Sequence, residues 1–208
     1  MMIKIEPYKA TLDAIEARLT EMGKEAGMHK AMKKIINEVA GVGKGLIYTG
    51  TKESYTIRSG VFKKSDIVKK STSSKHPGAT LTIKGIPAGI KEGYQSRKNG
   101  KRKGASARII KGSAMKELKL VSGGHAYKAF LATMKSGHTG IYQRKPNEYM
   151  KRYKPVDGGR KGREAIREMT SMSKSKAAEM AYKNKSIYTS IREEIRYRLL
   201  KHMNAVIG

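Results

Sequence analysis

The spacing of apolar residues predicts a long helix near the N-terminal end of the chain. Between about Pro7 and Ala40, apolar side chains recur at alternating three- and four-residue steps, as on one helix face, at Leu12, Ile15, Leu19, Met22, Ala26, Met32, Ile36 and Val39. Proline suits a first turn, and Gly41 and Gly43 favour the end of the helix. We expect the stripe to pack on a core, with a partner-helix groove as the alternative, and residues 41–45 to form a flexible exit.

After this helix the apolar period shortens to two, which indicates β-strands. Residues 45–50 and 54–60 are rich in β-forming residues and are bounded by glycine. The clearest alternation lies in residues 79–86, whose apolar face is expected to contain Leu81, Ile83 and Ile86. The pattern predicts three strands of an antiparallel sheet.

Residues 95–112 predict a basic β-hairpin with a long tip. No acidic residue lies between Glu92 and Glu117, and five cationic side chains cluster around Gly100, namely Arg97, Lys98, Lys101, Arg102 and Lys103. This tip is either a solvated loop or a contact for DNA or an acidic partner, and the sequence leaves both open.

A second hairpin is predicted in the segment AFLATMKSGHTGIYQRK, residues 129–145. One strand is expected at about Ala126–Met134 and another at about Ile141–Arg144. They are joined by a turn that contains Ser136, Gly137, His138 and Gly140, in which both glycines are free to adopt positive φ. Three basic residues beside the turn are candidate contacts for DNA or a partner, with local packing as the alternative role of the loop: Lys135, Arg144 and Lys145.

The C-terminal segment predicts a helix from about Lys174, because four apolar residues recur at strict four-residue spacing: Ile187, Ile191, Ile195 and Leu199. The preceding residues, rich in proline, glycine and charge, predict an extended arm or loop. The order of elements predicts an α+β fold with a long N-terminal helix, an antiparallel sheet with extended loops and a C-terminal helix. The expected parts of this single domain are residues 1–41, 42–145, 146–173 and 174–208.

The net charge is the feature of the composition that says most about partners. The 208-residue chain has 45 Lys and Arg against 17 Asp and Glu, a formal net charge of +28. Such a charge favours either polyanion binding or acidic neighbours in an assembly. Only 38% of the residues are hydrophobic, so the core is expected to be modest and partly dependent on partners.

Several kinds of chemistry are not supported by the residues. The chain has no cysteine, which excludes disulfides and thiolate metal sites. No two histidines have the i, i+4 spacing of a helical zinc site, only three aspartates are present, and Ser136 lacks the GxSxG context of a nucleophile. We expect no enzyme, cofactor or metal site, with a metal-dependent nuclease as the disfavoured alternative. The charged N-terminal segment and the lack of long apolar runs predict a soluble protein made in a reducing cytoplasm.

The central segment also resembles the signature of the prophage minor tail protein Z family, the tail-completion proteins of long-tailed phages. That signature has an apolar strand, then ATMKSGH, a small polar residue, glycine, an apolar pair and an Arg-Lys run. Here residues 132–138 match it in full, followed by Gly140, Arg144 and Lys145. Weaker similarity covers about residues 42–208.

The resemblance implies a structural protein at the head–tail junction of the virion, made in the cytoplasm of a bacterial host. Its expected partners are further copies of itself, tail-terminator or tail-tube proteins, head-connector proteins and genomic DNA in the channel. The copies are expected to form a sixfold ring that matches the tail tube. It implies no catalytic residue and no membrane contact. The alternative is a non-specific nucleic-acid-binding protein or a transient assembly factor, although no known reader motif is present.

Overall fold

A computed structural model describes residues 2–5, 25–73, 78–100, 104–150, 162–183 and 185–207. Within these residues the helices are α1 (Glu25–Ser54), α2 (Ile90–Gly93), α3 (Lys174–Lys183) and α4 (Lys185–Ile207), with a 3-10 turn at Lys64–Asp66. The strands are β1 (Met2–Ile5), β2 (Ile67–Lys70), β3 (Ala79–Ile83), β4 (Pro87–Gly89), β5 (Gln95–Lys98), β6 (Ala105–Arg108), β7 (Lys116–Glu117), β8 (Lys119–Ser122), β9 (His125–Lys128), β10 (Phe130–Thr133), β11 (Thr139–Tyr149), β12 (Glu164–Glu168) and β13 (Thr170–Ser173).

The fold is mixed α+β, as predicted, but its strands form several small antiparallel sheets instead of one. The strand orders are β1-β3-β2, β10-β11-β12, β5-β6-β7, β8-β9 and β13-β4. Contacts divide the chain into two compact units. The first unit comprises Met1–Glu53, Lys63–Gly85 and Lys174–Gly208, and the second comprises Ser54–Phe62 and Ile86–Ser173. The division into four parts made from the sequence stays a prediction.

Helix α1 of the first unit differs from its prediction at the C-terminal end. It continues through Gly41 and Gly43 to Ser54, so the predicted flexible exit and the strand at residues 45–50 are wrong. Tertiary packing explains the glycine at position 50, because a Cβ there would overlap the Ile187 side chain of α4. The predicted residues 7–24 of this helix lie outside the described part of the chain.

The three-stranded sheet of the first unit has β3 at its centre. Leu81 and Ile83 are fully buried, which confirms the predicted apolar face, whereas Ile86 lies beyond the strand and is 84% exposed. The C-terminal segment is helical as predicted, with α4 packed along α1. Its Arg198 contacts Glu194 in the same helix and Glu38 of α1.

The second unit has a small core formed by Ile90, Ala105, Ala107, Ala129 and Ile141, with Ile109, Leu118 and Met169 packed against it. The basic hairpin is present as the pair β5–β6. Of the predicted strand at 54–60, only an isolated bridge between Tyr55 and Ile110 is seen. The remaining residues of that segment are irregular because their backbone groups bond to turns and loops.

Two further predictions in the second unit need correction. The strand expected at Ala126–Met134 is split at the buried Ala129, whose N–H donates to the Leu118 carbonyl, so that β9 pairs with β8 and β10 with β11. The expected arm is partly strand, because β11 extends to Tyr149 and pairs with β12. Residues 151–161 of that arm lie outside the described residues.

Candidate functional site

The central hairpin has the strand–turn–strand arrangement predicted from the sequence. Strands β10 and β11 pair from Phe130↔Tyr142 to Thr133↔Thr139. The Gly137 N–H donates to the Met134 carbonyl, and the Met134 N–H donates to the His138 carbonyl. Gly137 has φ of 81°, a conformation that glycine adopts without steric cost. The turn thus presents His138 at the start of β11.

Main-chain hydrogen bonds bring two other elements to this turn. The Ile90 N–H at the start of α2 donates to the Met169 carbonyl at 2.9 Å, and the Met169 N–H donates to the Ile141 carbonyl at 2.7 Å. Ile90 and Ile141 belong to the small core, which fixes the spacing of these backbones. As a result, Glu92 of α2 and Glu168 of β12 lie beside His138.

His138 lies between the two carboxylates. Its Nε2 is 3.0 Å from Glu168 Oε1, and its Nδ1 is 3.3 Å from Glu92 Oε1. Ionised carboxylates accept hydrogen bonds but do not donate them, so the Glu168 contact is a hydrogen bond when Nε2 carries a proton. The Glu92 contact is an ion pair when the ring is charged. We call Glu92, His138 and Glu168 the histidine–glutamate cluster.

Two glycines make room for the Glu168 carboxylate. A Cβ on Gly89 would lie 2.5 Å from Glu168 Oε1, and a Cβ on Gly140 would lie 2.7 Å from the same atom. Gly137 has positive φ as expected, but Gly140 does not. Gly140 is therefore required for close approach of a side chain, and it does not use the positive φ that a glycine permits.

The geometry of the cluster favours a structural use. Both ring nitrogens of His138 are occupied, and the two carboxylates bind opposite sides of the ring instead of converging on one point. Among the described residues, no group of three or more His, Asp or Glu side chains is arranged to hold a metal ion. Burial, and then the charges of Glu168 and Glu92, raise the pKa of the neighbouring Tyr142 phenol, which therefore stays neutral at ordinary pH.

The candidate contact residues occupy two strands and the turn. Arg97 and Lys98 are exposed on β5, next to the hairpin tip, and Lys135 is exposed in the β10–β11 turn. The Arg144 guanidinium lies 6.0 Å from the centre of the Phe130 ring, and Lys145 binds Glu148 at 2.6 Å. The tip residues Lys101, Arg102 and Lys103 lie outside the described residues. Their proposed contacts stay predictions.

The two glutamates of the cluster were not found from the sequence. Glu168 is 30 residues from His138 along the chain, and Glu92 precedes the whole basic hairpin. The nearest acidic residues in sequence, Glu117 and Glu148, bind lysines instead. A pairing of β11 with the segment at 164–168 would have placed Glu168 near the turn, but that segment was predicted as an arm.

Comparisons with known proteins give no match that would assign a family. Within the described residues, no helix combines the length and the apolar character needed to cross a membrane. No protein-family model, no curated protein and no solved structure matches this chain.

Proposed function

We propose that this chain is a structural tail-completion protein that forms a ring at the head-proximal end of a phage tail. The central hairpin carries the proposal. Its residues 129–145 resemble the minor tail protein Z signature, and His138 in the turn within this signature contacts Glu92 and Glu168. The one histidine of this motif joins three elements of the fold. Such a structural use favours an assembly protein over an enzyme.

The charge supports the same proposal. A net charge of +28 on 208 residues repels other copies unless polyanions or acidic surfaces are close. A channel that carries DNA, together with acidic tail-tube and connector proteins, supplies such surroundings. In the proposed ring, a head-to-tail interface between identical subunits closes with six copies, to match the tail tube.

The proposed layout has a long N-terminal helix that includes α1, small sheets, and C-terminal helices for packing between subunits. The basic tip after β5 and the segment between β11 and β12 would reach neighbours above or below the ring. The proposed contacts are the tail terminator or tail tube on one side and the head connector on the other.

The charge also favours a second candidate, a non-specific nucleic-acid-binding protein or a transient assembly factor. Such a protein would bind DNA strongly at low salt and lose affinity log-linearly as salt rises. It would not be needed to join completed heads to completed tails.

Joining in vitro separates the two candidates. Heads and tails are prepared from a phage that lacks this chain and are mixed with or without the purified protein, and joined particles are counted by electron microscopy. We expect tails to stay unjoined until the protein is added. Normal joining without it would rule out the tail-completion proposal.

A further inference from the structure

The first unit presents a row of exposed lysines along α1 and β2. The row contains two lysines of α1, one of the 3-10 turn and one of β2, all exposed: Lys33, Lys34, Lys64 and Lys69. We call these four residues the lysine face. None of them belongs to the basic hairpin or to the central hairpin of the second unit.

Hydrogen bonds to Asn37 hold the end of β2 against α1. The Thr72 N–H donates to Asn37 Oδ1 at 3.0 Å, and Lys69 Nζ donates to the Asn37 carbonyl at 3.3 Å. Lys33 and Lys34 lie one helical turn before Asn37, since residues three and four apart are neighbours on a helix surface. Lys69 pairs with Leu81 and shares its face of the sheet, whereas Lys70 pairs with Thr80 and points to the opposite face. Lys33, Lys34 and Lys69 therefore lie on one side of α1.

The 3-10 turn extends the row along the helix. Lys64 Nζ lies 3.8 Å from the position that a Cβ would take on Gly45. From Lys33 to Gly45 the helix rises about 18 Å at 1.5 Å per residue. Four cations are thus distributed along this length.

The carboxylates nearest to these lysines in sequence form ion pairs with other residues. Glu38, one turn after Lys34, binds Arg198 of α4 at 2.8 Å, and Asp66 binds Lys174 of α3 at 2.9 Å. In the part of the chain that the structure describes, none of the four lysines has a carboxylate within the 4.0 Å of an ion pair. The face therefore carries positive charge that the described residues of the first unit do not neutralise.

The spacing and chemistry of the face fit a nucleic-acid backbone. One DNA strand presents a phosphate about every 3.4 Å of helix axis, so about five phosphates span the length of the row. Lysine is a flexible point charge that contacts phosphate without the rigid fork by which arginine reads a base. A protein partner would instead need an apolar centre with aromatic residues, and the row is lined by Asn37, Gly41 and Gly45 between its lysines.

We infer that the lysine face binds the phosphate backbone of duplex DNA without sequence preference. The choice of DNA as the polyanion rests on the proposed function, in which the chain lies on the DNA path. Binding through α1 and β2 adds a contact surface to the tip and turn residues named from the sequence.

Salt-dependent DNA binding of matched variants tests this inference. The test variant is K33Q/K34Q/K64Q/K69Q, and the control is K84Q/K176Q/K183Q/K201Q, which removes four exposed lysines of the same unit outside the face. Each lowers the net charge of +28 by four units while keeping a polar side chain at every position. Dissociation constants for a duplex of random sequence are measured between about 50 and 200 mM salt. Far-UV circular dichroism checks that each variant is folded.

The logarithm of the association constant falls linearly with the logarithm of the salt concentration. We expect the test variant to reduce the magnitude of this slope by about 3 to 4, because each phosphate contact contributes about 0.9. The control should change the slope by less than half as much, and K33R/K34R/K64R/K69R should bind like the original chain. Equal slopes for test and control variants would overturn the inference, since the whole-chain field would then account for binding. A test variant that lost binding to polyglutamate but not to DNA would also overturn it, in favour of an acidic protein.

These outcomes are separate from the fate of the proposed function. A chain that bound DNA through the lysine face but was not required for head–tail joining would support the inference and contradict the proposed function. If the chain were required for joining but its lysine-face variant bound DNA normally, the proposed function would be supported and the inference contradicted.

Discussion

The Nε2 atom of His138 lies 3.0 Å from Oε1 of Glu168, although 30 residues separate the two along the chain. On the other side of the ring, Glu92 is 3.3 Å from Nδ1. The turn after β10, strand β12 and the short helix α2 are thereby joined through one imidazole. The central hairpin is thus connected to two other parts of the second unit.

Replacing His138 with glutamine should lower the free energy of unfolding of the second unit by about 1 kcal/mol. Hydrogen bonds to charged groups contribute about 1.5–3 kcal/mol, and partial exposure reduces this. Urea unfolding followed by circular dichroism measures the change. The control Glu92→Gln should cost less than about 0.5 kcal/mol, because Glu92 is 57% exposed. Equal costs for the two variants would contradict the arrangement.

Gly89→Ala and Gly140→Ala should be coupled through the carboxylate of Glu168. Each added Cβ displaces the same oxygen, so each variant should cost about 1 kcal/mol, and the double variant should cost about as much as one alone. Urea unfolding of the singles and the double gives the coupling energy. Gly60→Ala is the control partner, since a Cβ there meets no atom within 4 Å, and its effect should be additive with Gly140→Ala. Additivity of the two test glycines would show that Glu168 does not couple them.

Replacing two glycines of α1 with alanine should change the stability of the first unit in opposite directions. At Gly41 a Cβ meets nothing within 4 Å, so Gly41→Ala should stabilise the first unit by about 0.5–1 kcal/mol through helix propensity. At Gly50 a Cβ would overlap Ile187, so Gly50→Ala should destabilise it by about 1–2 kcal/mol. Thermal and urea unfolding of both variants provide the measurement. A stabilising Gly50→Ala would mean that α4 does not pack against α1 at this position.

The pair of Asp66 and Lys174 should make the first unit sensitive to acid. Burial acts to raise the pKa of Asp66, but the Lys63 backbone N–H and the Lys174 ammonium outweigh it and hold the pKa below its usual value. Because the folded pKa is depressed, the stabilisation is present above the unfolded value near pH 4 and is lost as pH falls through the folded value. Asp66→Asn should therefore be less stable than the original chain at about pH 7 and equally stable below the folded pKa. A difference that was unchanged in acid would contradict the pairing.

The basic tip should serve assembly and not folding. Lys98 is exposed on β5, and the other three residues of the tip, Lys101, Arg102 and Lys103, belong to a run with no apolar side chain. Replacing all four with serine should leave the unfolding curve unchanged but reduce the yield of joined particles or their retention of DNA. Joined, infectious particles at normal yield would show that the tip has no essential role.

Sequence patterns correctly predicted the elements that depend on neighbouring residues in the chain. Leu81 and Ile83 alternate with threonine in β3 because one face of that strand is buried and the other is not. The basic hairpin and the central hairpin were predicted from turns that need glycine, such as Gly137. The C-terminal helix followed from the spacing of its isoleucines.

Tertiary contacts decided the features that the patterns missed. Gly41 and Gly43 would end many helices, but α1 continues past them and packs Gly50 against Ile187 of α4. The histidine–glutamate cluster depends on the pairing of β11 with β12, which links residues far apart in sequence. No spacing rule connects Glu92 or Glu168 to the central turn.

Labelling of purified particles tests the central proposal most directly. Antibodies against this chain, applied to particles of the phage that encodes it and viewed by electron microscopy, report where the protein resides. We expect label confined to the junction between head and tail. Its absence from finished particles, or label spread over heads or along tails, would contradict a tail-completion ring.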